Sequence, residues 1–182
     1  TVDNLMNFTP ELHESAIETL NEFVHGPMYM PPSVEGTISL PGTRGGSNWG
    51  GAGFDPETNV LYVPSRTAPA FLRVGASRSP SEAQRAVMRC CRSVVTKEGL
   101  PLFKPPYARL TAIDMNKGEH LWMSPLGNGP RNHPLLRDMD LPPLGDHIDG
   151  QSVLVTKTLV FATVWRRDRG SGEAPIVPMW DP

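Results

Sequence analysis

A short glycine-rich segment holds the residues of this chain that are best suited to binding chemistry. Residues 45–51 read Gly-Gly-Ser-Asn-Trp-Gly-Gly, so one amide and one indole are surrounded by residues with almost no side chain. Glycine tolerates positive φ and lets a backbone come close to another group. Asn48 can donate and accept hydrogen bonds, and Trp49 offers a large flat face. The segment therefore suits a flat, carbonyl-bearing ligand. The alternative is a tight bulge or turn formed at Asn48, with Trp49 packed in the core.

The composition favours short strands joined by turns and long loops. Of 182 residues, 20 are proline and 17 are glycine, and 38% are hydrophobic, which is typical of strand-rich proteins and atypical of helical bundles. The net charge is −2, with lysine and arginine spread among the acids. No basic surface for nucleic acid is therefore predicted. No apolar run approaches the ~20 residues of a membrane span.

Hydrophobic spacing predicts one helix and several strand pairs. The helix is expected over residues 8–25, with Thr9 as its N-cap, Pro10 in its first turn, and Gly26 and Pro27 at its end. Strands are predicted at residues 37–40, on both sides of turns at 55–59 and 114–118, and in a hairpin that turns at Thr156 and Lys157.

The segments between these strand pairs lack clear periodicity. Residues 66–107 and 127–150 are interpreted as long loop insertions, the first with a short helix that starts near Ser81 or Glu82, and residues 166–182 as a loop. Strand pairs at intervals are typical of a β-propeller built from four-stranded blades. The sequence predicts an all-β partial β-propeller of about two to two-and-a-half blades with one N-terminal helix. Both ends look cut, so we expect residues 1–182 to be a single piece of a longer protein.

Two motifs resemble one enzyme family. Ala112, Asp114, Gly118 and Trp122 match the Ala-x-Asp-x-x-Thr-Gly-x-x-x-Trp blade motif of pyrroloquinoline quinone (PQQ) dehydrogenase propellers, with Lys117 in the place of the threonine. The segment at 45–51 is similar to the Gly-Gly-x-Asn-Trp segment of the same enzymes. The order of these and further motifs, over nearly the whole chain, resembles the C-terminal half of a quinoprotein glucose or alcohol dehydrogenase of the eight-bladed type.

The resemblance implies a site and an activity. Gly46, Asn48 and Trp49 are the expected cofactor-binding residues; the alternative is that Trp49 packs between blades and Asn48 only forms a turn. Trp122 is expected to pack between blades. PQQ and Ca²⁺ are the implied cofactors; the calcium ligands and the catalytic base are expected outside this chain, so no catalytic or metal-binding residue is assigned here. Where the family often has Gly-Gly, this chain has Gly150-Gln151, which puts a cofactor contact from that loop in doubt.

The implied reaction is oxidation of a sugar or alcohol hydroxyl by hydride transfer to the quinone. The implied electron acceptor is a membrane quinone or a cytochrome, and the implied location is the periplasm, with membrane association only through segments outside this chain. A propeller of the same repeat that binds other proteins without catalysis is the alternative.

Other reactive side chains have ordinary interpretations. Cys90 and Cys91 are adjacent; they are two ordinary thiols, a strained vicinal disulfide, or one partner of a cysteine outside this chain. His133 and His147 are interpreted as polar loop residues, with a metal site beside Asp146 or Asp149 as the alternative. The remaining histidines, His13, His25 and His120, are expected on solvated surfaces.

Overall fold

The computed structural model describes residues 2–27, 29–43, 45–76, 86–146, 150–165 and 179–180. The chain divides into two compact units. The first comprises Thr1–Gly45 and Ala68–Lys104, and the second comprises Gly46–Thr67 and Pro105–Pro182. The described residues form one helix, α1 (Pro10–Asn21), and the strands β1 (Thr37–Ser39), β2 (Gly53–Asp55), β3 (Val60–Arg66), β4 (Ala70–Ala76), β5 (Ala86–Ser93), β6 (Ala108–Asp114), β7 (Glu119–Pro125), β8 (Gly150–Val155), β9 (Val160–Trp165) and β10 (Met179–Trp180), with short 3₁₀ turns at Val2–Asn4 and Gly129–Asn132.

The predicted helix in the first unit is confirmed, with an earlier end. The Thr9 hydroxyl accepts the Leu12 N–H at 3.2 Å, as an N-cap should. The helix ends at Asn21, not at residue 25, because Val24 joins β1: its N–H donates to Gly36 O and its carbonyl accepts the Ile38 N–H, both at 2.9 Å. The buried face of α1 consists of Leu12, Ser15, Ala16, Thr19 and Leu20.

The interpretation of residues 66–107 as a loop insertion was wrong in one respect. β4 and β5 lie within it and form an antiparallel sheet of order β1-β4-β5. The short helix expected to start near Ser81 or Glu82 begins outside the described part, and residues 86–93, which follow it, are strand. Arg73 and Gly75 break the apolar run of β4, so hydrophobic periodicity did not predict this strand. Pairing with β1 and β5 holds it, together with an edge-to-face contact between the Phe71 and Phe23 rings, whose centroids are 5.3 Å apart.

The second unit contains the predicted hairpins. Strands β2-β3-β6-β7 form a four-stranded antiparallel sheet, in which β3 and β6 are neighbours although residues 67–107 separate them in sequence. Strands β10-β9-β8 form a second antiparallel sheet. Its turn at Thr156 and Lys157 is confirmed by the Thr156 N–H to Leu159 O bond at 2.8 Å. The tail at 166–182, predicted as loop, includes β10, which pairs with β9.

The core of the second unit lies between its two sheets. Val60, Tyr62, Ala112, Val160 and Ala162 belong to the buried cluster there, with three further members on β6 and the loop after β7: Ala108, Leu110 and Leu126. β2 comes close to β8 because Gly53 has no side chain; a Cβ there would lie 2.7 Å from Val153 Cγ1.

Trp122 lies on the face that carries this core. Tyr62, Ala112 and Trp122 occupy one register row across β3, β6 and β7. The small side chain of Ala112 leaves the Tyr62 and Trp122 rings 5.9 Å apart. Trp122 is still 38% exposed in this chain. Its placement on the sheet-packing face fits the role of a packing residue between blades.

The helix is fastened to the loop before β6 through Glu98. The Ser15 hydroxyl lies 3.0 and 2.8 Å from the two carboxylate oxygens of Glu98, and the exposed Lys97 ammonium lies 2.7 Å from Glu18. The Ser15 hydrogen bond is the largest cause that lowers the pKa of Glu98 below its ordinary value of 4.5. A carboxyl with a lowered folded-state pKa stabilises the fold above its unfolded pKa and loses that contribution as the pH falls through the folded value.

Replacing Ser15 with alanine should raise the pKa of Glu98 towards 4.5. S15A should be less stable than the wild type at pH 6, and the difference should shrink as the pH falls below about 4.5. Carbon-detected NMR titration of Glu98 and urea unfolding at several pH values measure both effects. The control is Ser39→Ala, since the Ser39 hydroxyl donates to the Pro41 carbonyl instead. An unchanged Glu98 pKa in S15A would contradict this assignment.

Candidate functional site

The two ends of the four-stranded sheet are built differently. At one end, tight turns join β2 to β3 and β6 to β7. Asp55 accepts the Glu57 N–H at 2.9 Å and the Thr58 hydroxyl at 2.6 Å, and Asp114 accepts the Asn116 N–H at 2.8 Å. The opposite end, here called the loop end, carries the longer connections: the segment before β2, the exit from β3, the entry to β6 and the exit from β7. The predicted cofactor-binding residues lie at the loop end.

Two hydrogen bonds fasten the 46–51 segment to β3. The Arg66 N–H donates to Gly46 O at 2.8 Å, and the Ser47 hydroxyl donates to Pro64 O at 2.9 Å. Gly51 then closes a turn, since its N–H donates to Asn48 O at 3.0 Å and its φ is +79°. The segment, which precedes β2 in the chain, therefore lies along the part of the β3 edge that β2 does not cover.

The turn directs Trp49 away from the core. Trp49 is 94% exposed. Its backbone N–H, and not the indole N–H, donates to Asn48 Oδ1 at 2.8 Å. The described residues therefore do not bury Trp49 in a core, and the alternative that Trp49 packs between blades stays a prediction. Asn48 does form the turn, as that alternative expected, but only its oxygen is engaged; its amide N–H groups have no hydrogen-bond partner among the described residues.

The connection between β7 and β8 folds back on itself. Its two arms pair through the Leu144 N–H to Asn128 O bond at 3.2 Å, the Gly145 N–H to Gly127 O bond at 3.0 Å and the Asp146 N–H to Leu126 O bond at 2.6 Å. The Asp146 carboxylate also accepts the Gly129 N–H at 2.7 Å. A loop whose ends pair in this way resembles an Ω-loop, a type that is often functional and usually has up to about 16 residues, although this loop is longer. We call residues 127–145 the Ω-loop.

Both loops attach to one register row of the sheet. Arg66 of β3 pairs with Ala108 of β6; Gly46 accepts the Arg66 N–H, and Ala108 O accepts the Leu126 N–H at 2.9 Å. Gly145 lies directly against Ala108, because an added Cβ would overlap the Ala108 backbone. The glycine-rich segment and the Ω-loop are thereby held at neighbouring strands.

Arg109 braces the same end of the sheet and was missed from the sequence. Its guanidinium donates to Ser65 Oγ at 3.1 Å, to Thr67 Oγ1 at 2.9 Å and to Pro106 O at 3.1 Å. No local motif marks this residue, since two of its partners lie more than 40 positions away along the chain. Beside it, burial raises the pKa of the Tyr107 phenol well above its ordinary range.

The other candidates for chemistry do not form a shared site in the described structure. His133 Nδ1 accepts the Leu135 N–H at 3.3 Å, and His13, expected on a solvated surface, is half-buried with Nδ1 2.8 Å from Met6 O. His147 and Asp149 lie outside the described residues, and so do the side chains of Cys90 and Cys91 within β5.

Among the residues that the structure describes, no three His, Cys, Asp or Glu side chains converge. Those residues also include no helix with the length and apolar character of a bilayer span.

Comparison with known proteins identifies the family. The family model described as "Glucose/ethanol/alcohol dehydrogenase, beta-propeller domain", the PQQ family, matches residues 1–169. The chain belongs to this family. A probable quinate dehydrogenase (quinone) from Xanthomonas campestris pv. juglandis is 28% identical over 153 residues, covering 74% of this chain and 19% of the relative. The glycerol dehydrogenase large subunit of Gluconobacter oxydans (strain 621H) is 27% identical over 161 residues, covering 73% of this chain and 22% of the relative.

Membership of this PQQ family confirms the predicted fold class. The sheet β2-β3-β6-β7 is a four-stranded antiparallel blade, and β8, β9 and β10 form a second sheet that packs on it. The chain is therefore a partial β-propeller with one described helix. It spans about a fifth of the length of the curated relatives it matches.

Gly145→Ala should detach the Ω-loop from β6. Its φ is +76° and its Cβ would overlap Ala108, whereas Gly118, with φ +72°, has open space around an added Cβ. Gly118→Ala should therefore lower the free energy of unfolding by about 1–2 kcal/mol, the cost of positive φ alone. Gly145→Ala should lower it by about 1–3 kcal/mol more, because of the overlap with Ala108. Denaturant unfolding measures both. Equal losses of stability would show that the close approach to Ala108 is absent.

Proposed function

We propose that this chain is part of a PQQ-dependent dehydrogenase that oxidises the hydroxyl group of a sugar or another alcohol, and that Gly46, Asn48 and Trp49 contact the cofactor. The observation that carries the proposal is the almost fully exposed Trp49 on a segment that Gly46 and Ser47 fasten to β3. An exposed indole on a fastened turn is preorganised to meet a planar ligand, because little order has to be created on binding.

The side chains of this turn fit a quinone. The Trp49 indole can stack on a flat ring system through its exposed face. The Asn48 oxygen already accepts the Trp49 N–H, so the N–H groups of its amide are oriented away from that bond and can donate to a carbonyl oxygen. The Gly46 carbonyl holds the segment on β3, and the lack of a side chain there lets the backbone approach the ring.

The remaining chemistry is proposed for parts of the protein beyond this chain. Bound PQQ would supply a two-electron acceptor for the hydride of the substrate carbon, and a carboxylate base would take the hydroxyl proton. That base and the ligands of a Ca²⁺ ion, which would polarise the quinone oxygen, are proposed to lie outside residues 1–182. A periplasmic location belongs to the same proposal.

The substrate and the electron acceptor are proposed from the relatives. Their names specify quinate, shikimate and glycerol, and all three compounds carry hydroxyl groups. Two of the relatives are named as acting with a quinone, which supports a membrane quinone over a cytochrome as acceptor. Glucose remains a candidate through the description of the family.

Trp49→Ala should weaken PQQ binding without destabilising the protein. Loss of one stacked aromatic is worth about 0.5–1.5 kcal/mol, so the Kd for PQQ should rise about two- to thirteenfold. Fluorescence titration of the complete apo-protein with PQQ measures this. Tyr29→Ala is the matched control, since Tyr29 is also 93% exposed but lies outside the 46–51 segment. Equal PQQ affinity in the Trp49 variant and the wild type would contradict the proposed contact.

The 182-residue chain alone should be catalytically silent. Supplied with PQQ and Ca²⁺, it should not reduce a redox dye in the presence of glucose, glycerol or quinate, because the proposed base lies elsewhere. Dye reduction above the level of PQQ and Ca²⁺ without protein would show that the chain contains its own base. If the complete protein bound no quinone and had no dehydrogenase activity, the non-catalytic binding propeller would be the better account.

A further inference from the structure

The Ω-loop encloses an open concavity that the cofactor chemistry does not use. Its volume is about 210 Å³, which is room for about seven water molecules at ~30 Å³ each. That space fits a small organic molecule. It is lined chiefly by Asn128, Arg131, Asn132, Leu136, Arg137 and Asp140.

Two guanidinium groups of this concavity are only weakly engaged. Arg131 Nη1 lies 3.5 Å from Asn128 Oδ1, and Arg137 Nε lies 3.6 Å from Asp138 Oδ2. A guanidinium has five N–H donors, and the remaining donors of both residues have no partner among the described residues. A carboxylate matches this need, because its two oxygens accept paired guanidinium hydrogens.

The other polar groups of the concavity accept as well as donate. Asp140 presents carboxylate oxygens, and Asn128 and Asn132 present amide groups. A carboxylate oxygen repels a second anion but accepts the hydrogen of a hydroxyl group. The combination therefore favours a ligand that carries a carboxylate at one end and hydroxyl groups at the other over a compact anion such as sulfate. A neutral sugar would leave Arg131 without a charged partner in the described part of the chain and Arg137 with only the exposed Asp138 carboxylate.

The backbone of the loop holds these side chains in place. The His133 carbonyl accepts the N–H groups of Leu136 and Arg137 at 2.8 and 2.9 Å, and the Met139 N–H donates to Leu136 O at 3.0 Å. Leu136 is only 1% exposed and anchors the loop beneath the concavity, while Asp140 turns the chain with φ +47°. These contacts order the loop before any ligand binds, which lowers the entropy cost of binding.

We propose that the concavity of the Ω-loop binds a small polyhydroxylated carboxylate, with Arg131 and Arg137 on the carboxylate and Asp140 on the hydroxyl groups. The proposal depends on the charges of this loop and is independent of the quinone site.

Isothermal titration of the protein with four probes tests the chemical class. Gluconate carries both features, acetate only the carboxylate, glucose only the hydroxyl groups, and sulfate only charge. Each titration is repeated with Arg137→Gln, so that binding at the proposed substrate site, where glucose is a candidate, is subtracted. The Arg137-dependent binding should be tightest for gluconate, at least tenfold weaker for acetate and sulfate, and absent for glucose. Equal Arg137-dependent affinity for sulfate and gluconate would reduce the site to a general anion site and overturn the proposal, as would tighter Arg137-dependent binding of glucose or none of gluconate.

Charge-neutralising variants locate the binding. Arg137→Gln should weaken gluconate about tenfold or more, since hydrogen bonds to charged groups contribute about 1.5–3 kcal/mol; this side chain is 63% exposed, so folding should be unaffected. Arg131→Gln should have a similar effect, and Asp140→Asn should abolish the preference for gluconate over acetate. The matched control is Lys117→Gln, which removes one positive charge, 67% exposed, from the turn between β6 and β7. An equal loss of affinity in the Lys117 variant would place gluconate elsewhere and contradict the proposal.

Discussion

The pairing of Arg66 with Ala108 organises the loop end of the blade. This row is the last of seven between β3 and β6. The Arg66 N–H donates to Gly46 O in the glycine-rich segment, and Ala108 O accepts the N–H of Leu126, the residue before the Ω-loop. Backbone bonds of this kind fix position without depending on side-chain identity. The glycine-rich segment and the Ω-loop are therefore extensions of the sheet, and the sheet fixes the positions of their backbones.

The same row explains how the blade accommodates a long insertion between its two central strands. The Thr67 N–H donates to Tyr107 O at 2.8 Å, so the insertion leaves and re-enters the second unit through one hydrogen-bonded pair, which Arg109 braces from the side. Each doubling of loop length costs only about 0.6 kcal/mol in closure entropy. The inserted residues also have their own partners: β4 and β5 pair with β1, and Glu98 accepts the Ser15 hydroxyl. The insertion is thus a structural part of the first unit.

Local sequence signals predicted the hairpins because their turns are determined locally. Asp55 and Asp114 each accept N–H groups within their own turn, and Asn59 and Gly118 take the positive φ that such turns require. The strands β4 and β5 were missed because long-range pairing, and not an apolar period, makes them strands. The Asn-Trp pair was identified from its glycine neighbours, but the exposure of Trp49 depends on the Ser47 and Gly46 bonds to β3. The concavity of the Ω-loop was not predicted, since the backbone turns at His133 and Asp140 that shape it are not marked by a sequence motif.

We infer that the sheet presents Trp49 and Asn48 to a planar quinone, and a crystal structure of the complete protein with PQQ bound is the decisive test. The quinone ring should lie in van der Waals contact with the Trp49 indole, at about 3.5–4 Å, and accept a hydrogen bond from the Asn48 amide, while Gly46 O still accepts the Arg66 N–H. A quinone bound elsewhere, with Trp49 still in solvent, would show that this turn does not bind the cofactor.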